Sequence, residues 1–160
     1  MIRPVTKGDA AEICVIYNHY VETGFISFET ESVSESEMAS RIQNISSTYP
    51  YLVYEEQGKV LAYAYANLWK VRAAYKHSLE TTIYASPDIM LKGVGRALYQ
   101  GIFDALDRNT VHTLMAVIAL PNEASVGFHE KMGYEKAGHF KEVGKKFGDW
   151  IDVGYWQKMM

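Results

Sequence analysis

A mixed α/β (α+β) fold is the class this sequence predicts, and three observations predict it. Strand and helix periodicities follow one another irregularly: a strand, two helices, an antiparallel run, then strand, helix, strand, helix and two closing strands. A tight-turn signature, Glu56-Gln57-Gly58-Lys59, joins two strand-like runs into a hairpin. The chain has 160 residues, 48% of them hydrophobic and 22% charged. That is enough to bury one core as a single domain, residues 1–160, without disulfides or structural metal.

The elements follow in order. Residues 2–6 (IRPVT) read as a short strand, with Thr6 as the N-cap of an amphipathic helix carrying Ile13, Ile16, Tyr17 and Tyr20 at helical spacing. FISFETESV is polar and irregular. Ser34 with Glu37 three residues on is a capping-box pattern, opening a second helix to about Ile45. YLVYEE and KVLAYAYANLW are the hairpin strands, with Gly58 supplying a positive φ at the turn. WKVRAAYKH breaks the strand pattern before SLETTIYA, which runs into Ser86-Pro87. A helix is predicted from Val94 to Arg108, then VHTLMAVIA as a buried strand. A further helix follows, N-capped by Asn122 with Gly133 near its C-cap. YEKAGHFKEVG and DWIDVGYWQK close the chain as strands.

Composition excludes several function classes. The formal charge is -3, and no Lys/Arg cluster offers the footprint that nucleic-acid binding requires. No apolar run is long enough to span a bilayer and no basic, apolar leader follows Met1, so a membrane partner is not expected and the cytoplasm is the expected location. The single cysteine, Cys14, excludes an internal disulfide and any Cys-rich zinc site; no metal is expected. Small molecules are the expected partners. The 12 tyrosines suit a core or a site equally.

The stretch DIMLKGVGRALYQGIF sets Gly93 and Gly95 between a strand and a helix. A dinucleotide fingerprint needs a third glycine and an opening strand-turn-helix, and a Walker loop needs Gly-Lys-Ser/Thr; neither is present. A bare turn and an anion cradle built from backbone N–H groups at a helix N-terminus both remain open.

YNHY, WKVRAAY, LETTIY, GVGRALY, AVIALPNEAS, FHEKMGY and GDWIDVGYWQ occur in order along nearly the whole chain. Through these blocks the sequence resembles the phosphinothricin N-acetyltransferase-like branch of the GNAT superfamily of acetyl-CoA-dependent acyltransferases. The resemblance implies a GNAT fold: a mixed, mostly antiparallel sheet of six to seven strands flanked by about four helices, splayed where the pantetheine arm of CoA inserts. It makes the glycine turn a pyrophosphate cradle, with Lys92, Gly93, Val94, Gly95 and Arg96 as cofactor contacts. Ile83, Tyr84 and Ala85 on the preceding strand, and Asn122 and Ser125 at the later helix, complete the acetyl-CoA contacts it implies. Met90 departs from the pattern, which usually has Gln or Arg there; weaker CoA affinity is the expected consequence.

Glu80 stands at the position of the family's catalytic glutamate. Amide formation needs a neutral amine, and a carboxylate among apolar strand residues has the raised pKa that suits a general base. His129 falls where many relatives carry a proton-donating tyrosine and where this branch usually has histidine; a proton donor, a relay and a hydrogen-bonded core histidine are its three readings. Phe28, Lys70, Arg72 and Tyr75 are the substrate contacts the resemblance implies, with Arg72 able to grip a carboxylate or phosphinate through two N–H groups. Trp69, Trp150 and Trp156 are expected in the core or an interface, Cys14 in the core, and His19 in a structural or site-lining place.

The expected activity is N-acetylation of the α-amine of a small L-amino acid analogue of the phosphinothricin, methionine sulfoximine and methionine sulfone class, by direct attack in a ternary complex. Acetylation of another amine, such as a polyamine or a protein N-terminus, and a non-catalytic CoA-binding module are the alternatives. Members of the family are commonly homodimers, so a homodimer is expected.

Overall fold

The computed structural model describes residues 1–87 and 92–160. Seven strands lie in one sheet: β1 (Ile2–Pro4), β2 (Tyr51–Glu56), β3 (Lys59–Leu68), β4 (Ser78–Ala85), β5 (Thr113–Leu120), β6 (Glu135–Lys146) and β7 (Asp149–Met159). Their order across the sheet is β1-β2-β3-β4-β5-β7-β6. The helices are α1 (Ala10–Thr23), α2 (Glu35–Ser46), α3 (Val94–Ala105) and α4 (Glu123–Lys131). The pairings are antiparallel except that of β4 with β5.

Strand alternation assigns the two faces. Tyr51 and Val53 on β2, with Tyr63 on β3, pack with Ile13 and Ile16 of α1 and Met38 and Ile42 of α2, and Val60 joins them because the β2–β3 register shifts at Tyr54/Glu55. The intervening Ala62, Ala64 and Ala66 face Leu98, Tyr99, Ile102 and Phe103 of α3. Small residues on that face let α3 lie close: a Cβ on Gly101 would come 2.7 Å from Leu52 Cδ1. The hairpin turn between β2 and β3 has Gln57 and Gly58 both at positive φ, the twist that two-residue loops prefer. Phe147 and Gly148 do the same between β6 and β7.

Two helix boundaries and one cap differ from the sequence pattern, each for a local reason. Thr6 caps a 3-10 turn at Lys7–Asp9, and α1 itself begins at Ala10. Asp9 accepts from the Thr6 backbone N–H at 2.7 Å and from Arg3 at 2.7 and 2.9 Å. The capping box of α2 forms by half: Ser34 Oγ accepts from Glu37 N, while the Glu37 carboxylate turns to Arg41 Nε at 2.9 Å. α3 stops at Ala105 instead of Arg108, because Leu106 is extended and Asp107 accepts from the backbone N–H of Asn109 at 2.9 Å, making a turn.

Of the tryptophans, Trp156 is core, Trp69 is half-buried and Trp150 is 60% exposed on the β6–β7 hairpin. Cys14 is buried, its thiol directed at the Val33 carbonyl. Among the described residues no helix is long and apolar enough to cross a membrane, and no group of acidic, His and Cys side chains is arranged to hold a metal ion.

The position of the site is set by one irregularity. β4 and β5 pair only at Ser78–Thr113, Leu79–Leu114 and Glu80–Met115. Beyond those three positions the parallel strands part, and each follows its other neighbour: β4 stays with β3 to Ala85 and β5 stays with β7 to Leu120. Parallel strands that separate leave backbone N–H and C=O groups facing a gap.

Candidate active site

The gap opens into a cleft of about 460 Å³, walled by 81–84 of β4 and 117–119 of β5. Glu80 stands at its apex, where the strands part. The remaining wall comes from Ser125 and His129 of α4 and from the segment between α1 and α2, including Phe28 and Glu29. A second cavity of about 400 Å³ is lined by Ile83, Ala85, Gly93, Val94, Gly95 and Arg96; Ile83 belongs to both walls.

The glycine turn is built as a helix start. Gly93 is the N-cap, at φ 83, a conformation that costs an L side chain about 1–2 kcal/mol. The first helical bond runs from Ala97 N–H to the Gly93 carbonyl at 3.0 Å, so the N–H groups of 94–96 precede the helical ladder. Gly95 answers a different need: a Cβ there would meet Phe128 Cε2 at 3.2 Å and Ile83 Cδ1 at 3.4 Å. It lets the helix start approach the strand and α4 closely. Lys92 and Arg96 are exposed at the turn. Met90 lies outside the described residues.

Glu80 is half-buried, and burial raises its pKa above the usual carboxylate value, partly opposed by the Lys70 ammonium. Around the cleft mouth Tyr84 contacts Tyr17 and Tyr63, with ring centroids 5.3 and 5.6 Å apart. Burial pushes the Tyr84 phenol well up, and the nearby Tyr17, Tyr65, Glu29 and Glu80 add to it. The abundant tyrosines therefore serve both core and site.

Asn122 caps α4, its side-chain oxygen accepting from Ser125 N–H at 3.1 Å. One turn on, His129 is 5% exposed. Its Nδ1 lies 2.8 Å from the Ser125 carbonyl, which can only accept, so Nδ1 carries the proton. Nε2 is then the acceptor and receives the Tyr99 hydroxyl at 2.9 Å. Burial lowers the His129 pKa, against the opposing pull of the Ser125 carbonyl, so the ring is neutral at pH 7. Tyr99→Phe should leave Nε2 buried without a donor and cost about 1–3 kcal/mol, measured by urea unfolding.

The substrate residues implied by the resemblance separate. Phe28 lines the cleft, its ring lying against Gly144 where β6 bulges away from β7. Lys70 reaches Glu80 only by its charge, its Nζ lying 5.3 Å from the Trp69 ring centroid. Arg72 and Tyr75 are exposed and outside the cleft lining; the 3-10 turn at Ala73–Tyr75 packs Tyr75 edge-on to Trp69, centroids 5.4 Å apart. His19 is also outside the lining and borders a shallow groove on α1. In their place the structure brings Tyr17, Ser27, Glu29, Thr81 and Tyr99 to the cleft. Helical spacing marked Tyr17 as inward-facing, but the irregular segment before α2 carried no signal for Ser27 or Glu29.

The arrangement offers backbone groups along a slot, a helix start for an anion at one end, and a carboxylate of raised pKa at the apex. The chain is similar to known proteins. The family described as acetyltransferase (GNAT) domain matches residues 2–154. The phosphinothricin N-acetyltransferase of Streptomyces viridochromogenes is 40% identical over 157 residues, covering 98% of this chain and 86% of that protein. The L-methionine sulfoximine/L-methionine sulfone acetyltransferase of Salmonella typhimurium is 32% identical, covering 98% and 92%. A crystal structure of a GNAT superfamily phosphinothricin acetyltransferase from Sinorhizobium meliloti in complex with AcCoA superposes with TM-score 0.93 at 34% identity, covering 100% of this chain and 88% of that one.

Proposed function

From the premise that the chain belongs to the acetyltransferase (GNAT) family and is an acetyl-CoA-dependent N-acetyltransferase, we propose that its acceptor is the α-amine of a small L-amino acid analogue. Phosphinothricin, methionine sulfoximine and methionine sulfone are the acceptor class, as in the names of its relatives. The observation that carries this reading is the parting of β4 from β5 at Glu80, which makes a slot for an extended thioester arm ending at a carboxylate.

CoA supplies the acetyl thioester. Its pyrophosphate lies over the N–H groups of 94–96 at the start of α3, where a helix N-terminus favours an anion. Its pantetheine arm runs between Ile83, Tyr84 and Ala85 and the Asn122–Ser125 corner, so that the thioester reaches Glu80. Glu80 takes a proton from the amine, directly or through a water. The freed lone pair attacks the thioester carbonyl, and the C–S bond breaks to release CoA thiolate. The attack leaves a second proton on the nitrogen; neutral His129, whose Nε2 is filled by the Tyr99 hydroxyl, would take that proton through the hydroxyl and return it to the thiolate. No acyl-enzyme is required. Lys70, beside Glu80, and Phe28 remain substrate contacts in this reading; Arg72 and Tyr75 join them only through movement of the segment before β4.

Lys92→Ala and Arg96→Ala remove exposed charge from the cradle and should each raise the KM for acetyl-CoA roughly two- to five-fold with little change in kcat. An unchanged KM in both variants would leave the cradle to backbone alone. Residues 1–160 act in this reading as one catalytic domain in the cytoplasm. They pair as a homodimer through the exposed Phe140, Val143, Phe147 and Trp150 of the β6–β7 hairpin.

The test is CoA thiol release over a panel of amines: phosphinothricin, methionine sulfoximine, methionine sulfone, a polyamine and an N-terminal peptide. Turnover of the first three is the expected result. Preference for the polyamine or the peptide moves the acceptor class, and acetyl-CoA binding without turnover of any amine overturns catalysis of this kind.

A further inference from the structure

We propose that Lys146 is a positioning residue for the acceptor amine: its buried ammonium fixes the segment between α1 and α2 that walls the cleft, so that the β6–β7 hairpin sets the shape of the acceptor pocket. The inference rests on the N-acetyltransferase reading of the site and adds to it a residue that acts from outside the cleft.

The segment has little to hold itself in place. Ile26, Ser27, Phe28 and Glu29 line the cleft, yet the chain from Gly24 to Ser34 forms no helix or strand. α1 ends without a left-handed residue to turn the chain, since Gly24 is extended.

Lys146 supplies the missing anchor. Its side chain, 3% exposed at the end of β6, donates from Nζ to the Ser27 carbonyl at 2.7 Å and to the Tyr20 carbonyl at 3.4 Å. The first bond holds the wall itself. The second ties it to the last turn of α1, where the partial negative charge of a helix end favours a cation and where α1 has no basic side chain of its own. The neighbouring residues of β6 add apolar contacts to the same segment. Gly144 lies on the same face as Lys146, two residues away, and the Phe28 ring is seated against it where a Cβ would overlap the ring. Phe147 packs against Phe25, ring centroids 6.0 Å apart.

The charge is unusual for its place. Lys146 takes part in no ion pair among the described residues, and burial lowers its pKa. Burying an ammonium without a carboxylate costs free energy that an apolar side chain would not. What the lysine provides is reach and direction, three N–H donors on a four-carbon stem that spans from a strand to two carbonyls on the facing segment. Lys146 does not line the cleft. It acts through the Ser27 carbonyl, and so through the place of Phe28 in the wall. None of the residues it anchors lines the cavity at the glycine turn.

The test measures CoA thiol release with L-methionine sulfone as acceptor, in the wild type and in Lys146→Met, which keeps most of the stem and removes the donors. The KM for the acceptor is expected to rise roughly 10-fold or more, the order that loss of a hydrogen bond to a charged group gives, while the KM for acetyl-CoA holds. A lysine that serves stability alone gives a different pattern: fewer folded molecules lower the apparent kcat and leave both KM values where they were. That pattern, a parallel rise of both KM values, or no change at all overturns the inference. If Lys146→Met does not fold, Lys146→Gln, which keeps an NH2 donor group and loses the charge and the full reach, is read by the same pair of KM values. A wild type that turns over none of the amino acid analogues overturns the acceptor class and this inference with it. Turnover by the wild type without the selective rise in the variant overturns the inference alone.

Discussion

Glu80→Gln should lower kcat by about 10²–10⁴-fold, the usual contribution of a positioned proton transfer, and leave acetyl-CoA binding intact. The amide keeps the shape and the hydrogen-bonding edge, so a loss isolates the proton. The wild-type kcat/KM should rise with pH along a limb displaced above the ordinary carboxylate range, because burial raises the Glu80 pKa against the smaller opposing effect of Lys70. That limb should vanish in the variant. Full turnover in Glu80→Gln, followed by thiol release, would remove Glu80 from the mechanism. Stability should move the other way. In the folded state the carboxyl resists ionisation, so the wild type carries no penalty below the unfolded-state pKa. The penalty grows as pH rises towards the folded-state pKa and is complete above it. The variant should therefore melt higher than the wild type at neutral pH and equally in acid.

The largest effect on stability is expected one residue away. Leu79 is fully buried and points to the opposite face of the sheet, into the cluster with Leu98, Ile102 and Leu114. It also sits in the three-residue pairing that joins β1–β4 to β5–β7. Leu79→Ala removes apolar contacts and leaves a cavity at that joint, a change that costs about 2–5 kcal/mol. Typical domains have about 5–15 kcal/mol in total, so the variant should lose a large share of its stability. Urea or thermal unfolding measures it, and a loss under about 1 kcal/mol would mean that α3 closes over the gap. Activity at low temperature should fall too, since the same pairing positions Glu80.

Much of the fold was legible in the chain because its signals are local. Gly58 in a four-residue turn signature, the alternation through KVLAYAYA and the cap at Asn122 depend on neighbours a few residues away, and each produces the element expected of it. Glu80 and the glycine turn are singled out by the resemblance, which attaches roles to positions; Glu80 borders the cleft, and Gly93 and Gly95 border the neighbouring cavity that shares Ile83 with it. Arg72 and Tyr75 came from the same source and do not line the cleft, since a 3-10 turn and an aromatic contact with Trp69 hold that segment aside. Glu29 was not legible at all. Its presentation depends on Arg41 from another helix and on a lysine 119 residues from Ser27 along the chain.

By itself, the sequence determined the kind and order of the elements, the absence of a disulfide, and the residue types available to an acyl-transfer site, because propensity, capping and turn chemistry act over a few residues. Only the tertiary structure decided where β4 and β5 part, which carboxylates share the cleft, and that burial raises the pKa of Glu80. It also decided that His129 is a neutral acceptor bonded to Tyr99 and Ser125. Those properties come from burial and from partners distant in the chain, and a side chain acquires its desolvation and its neighbours only when the sheet is assembled.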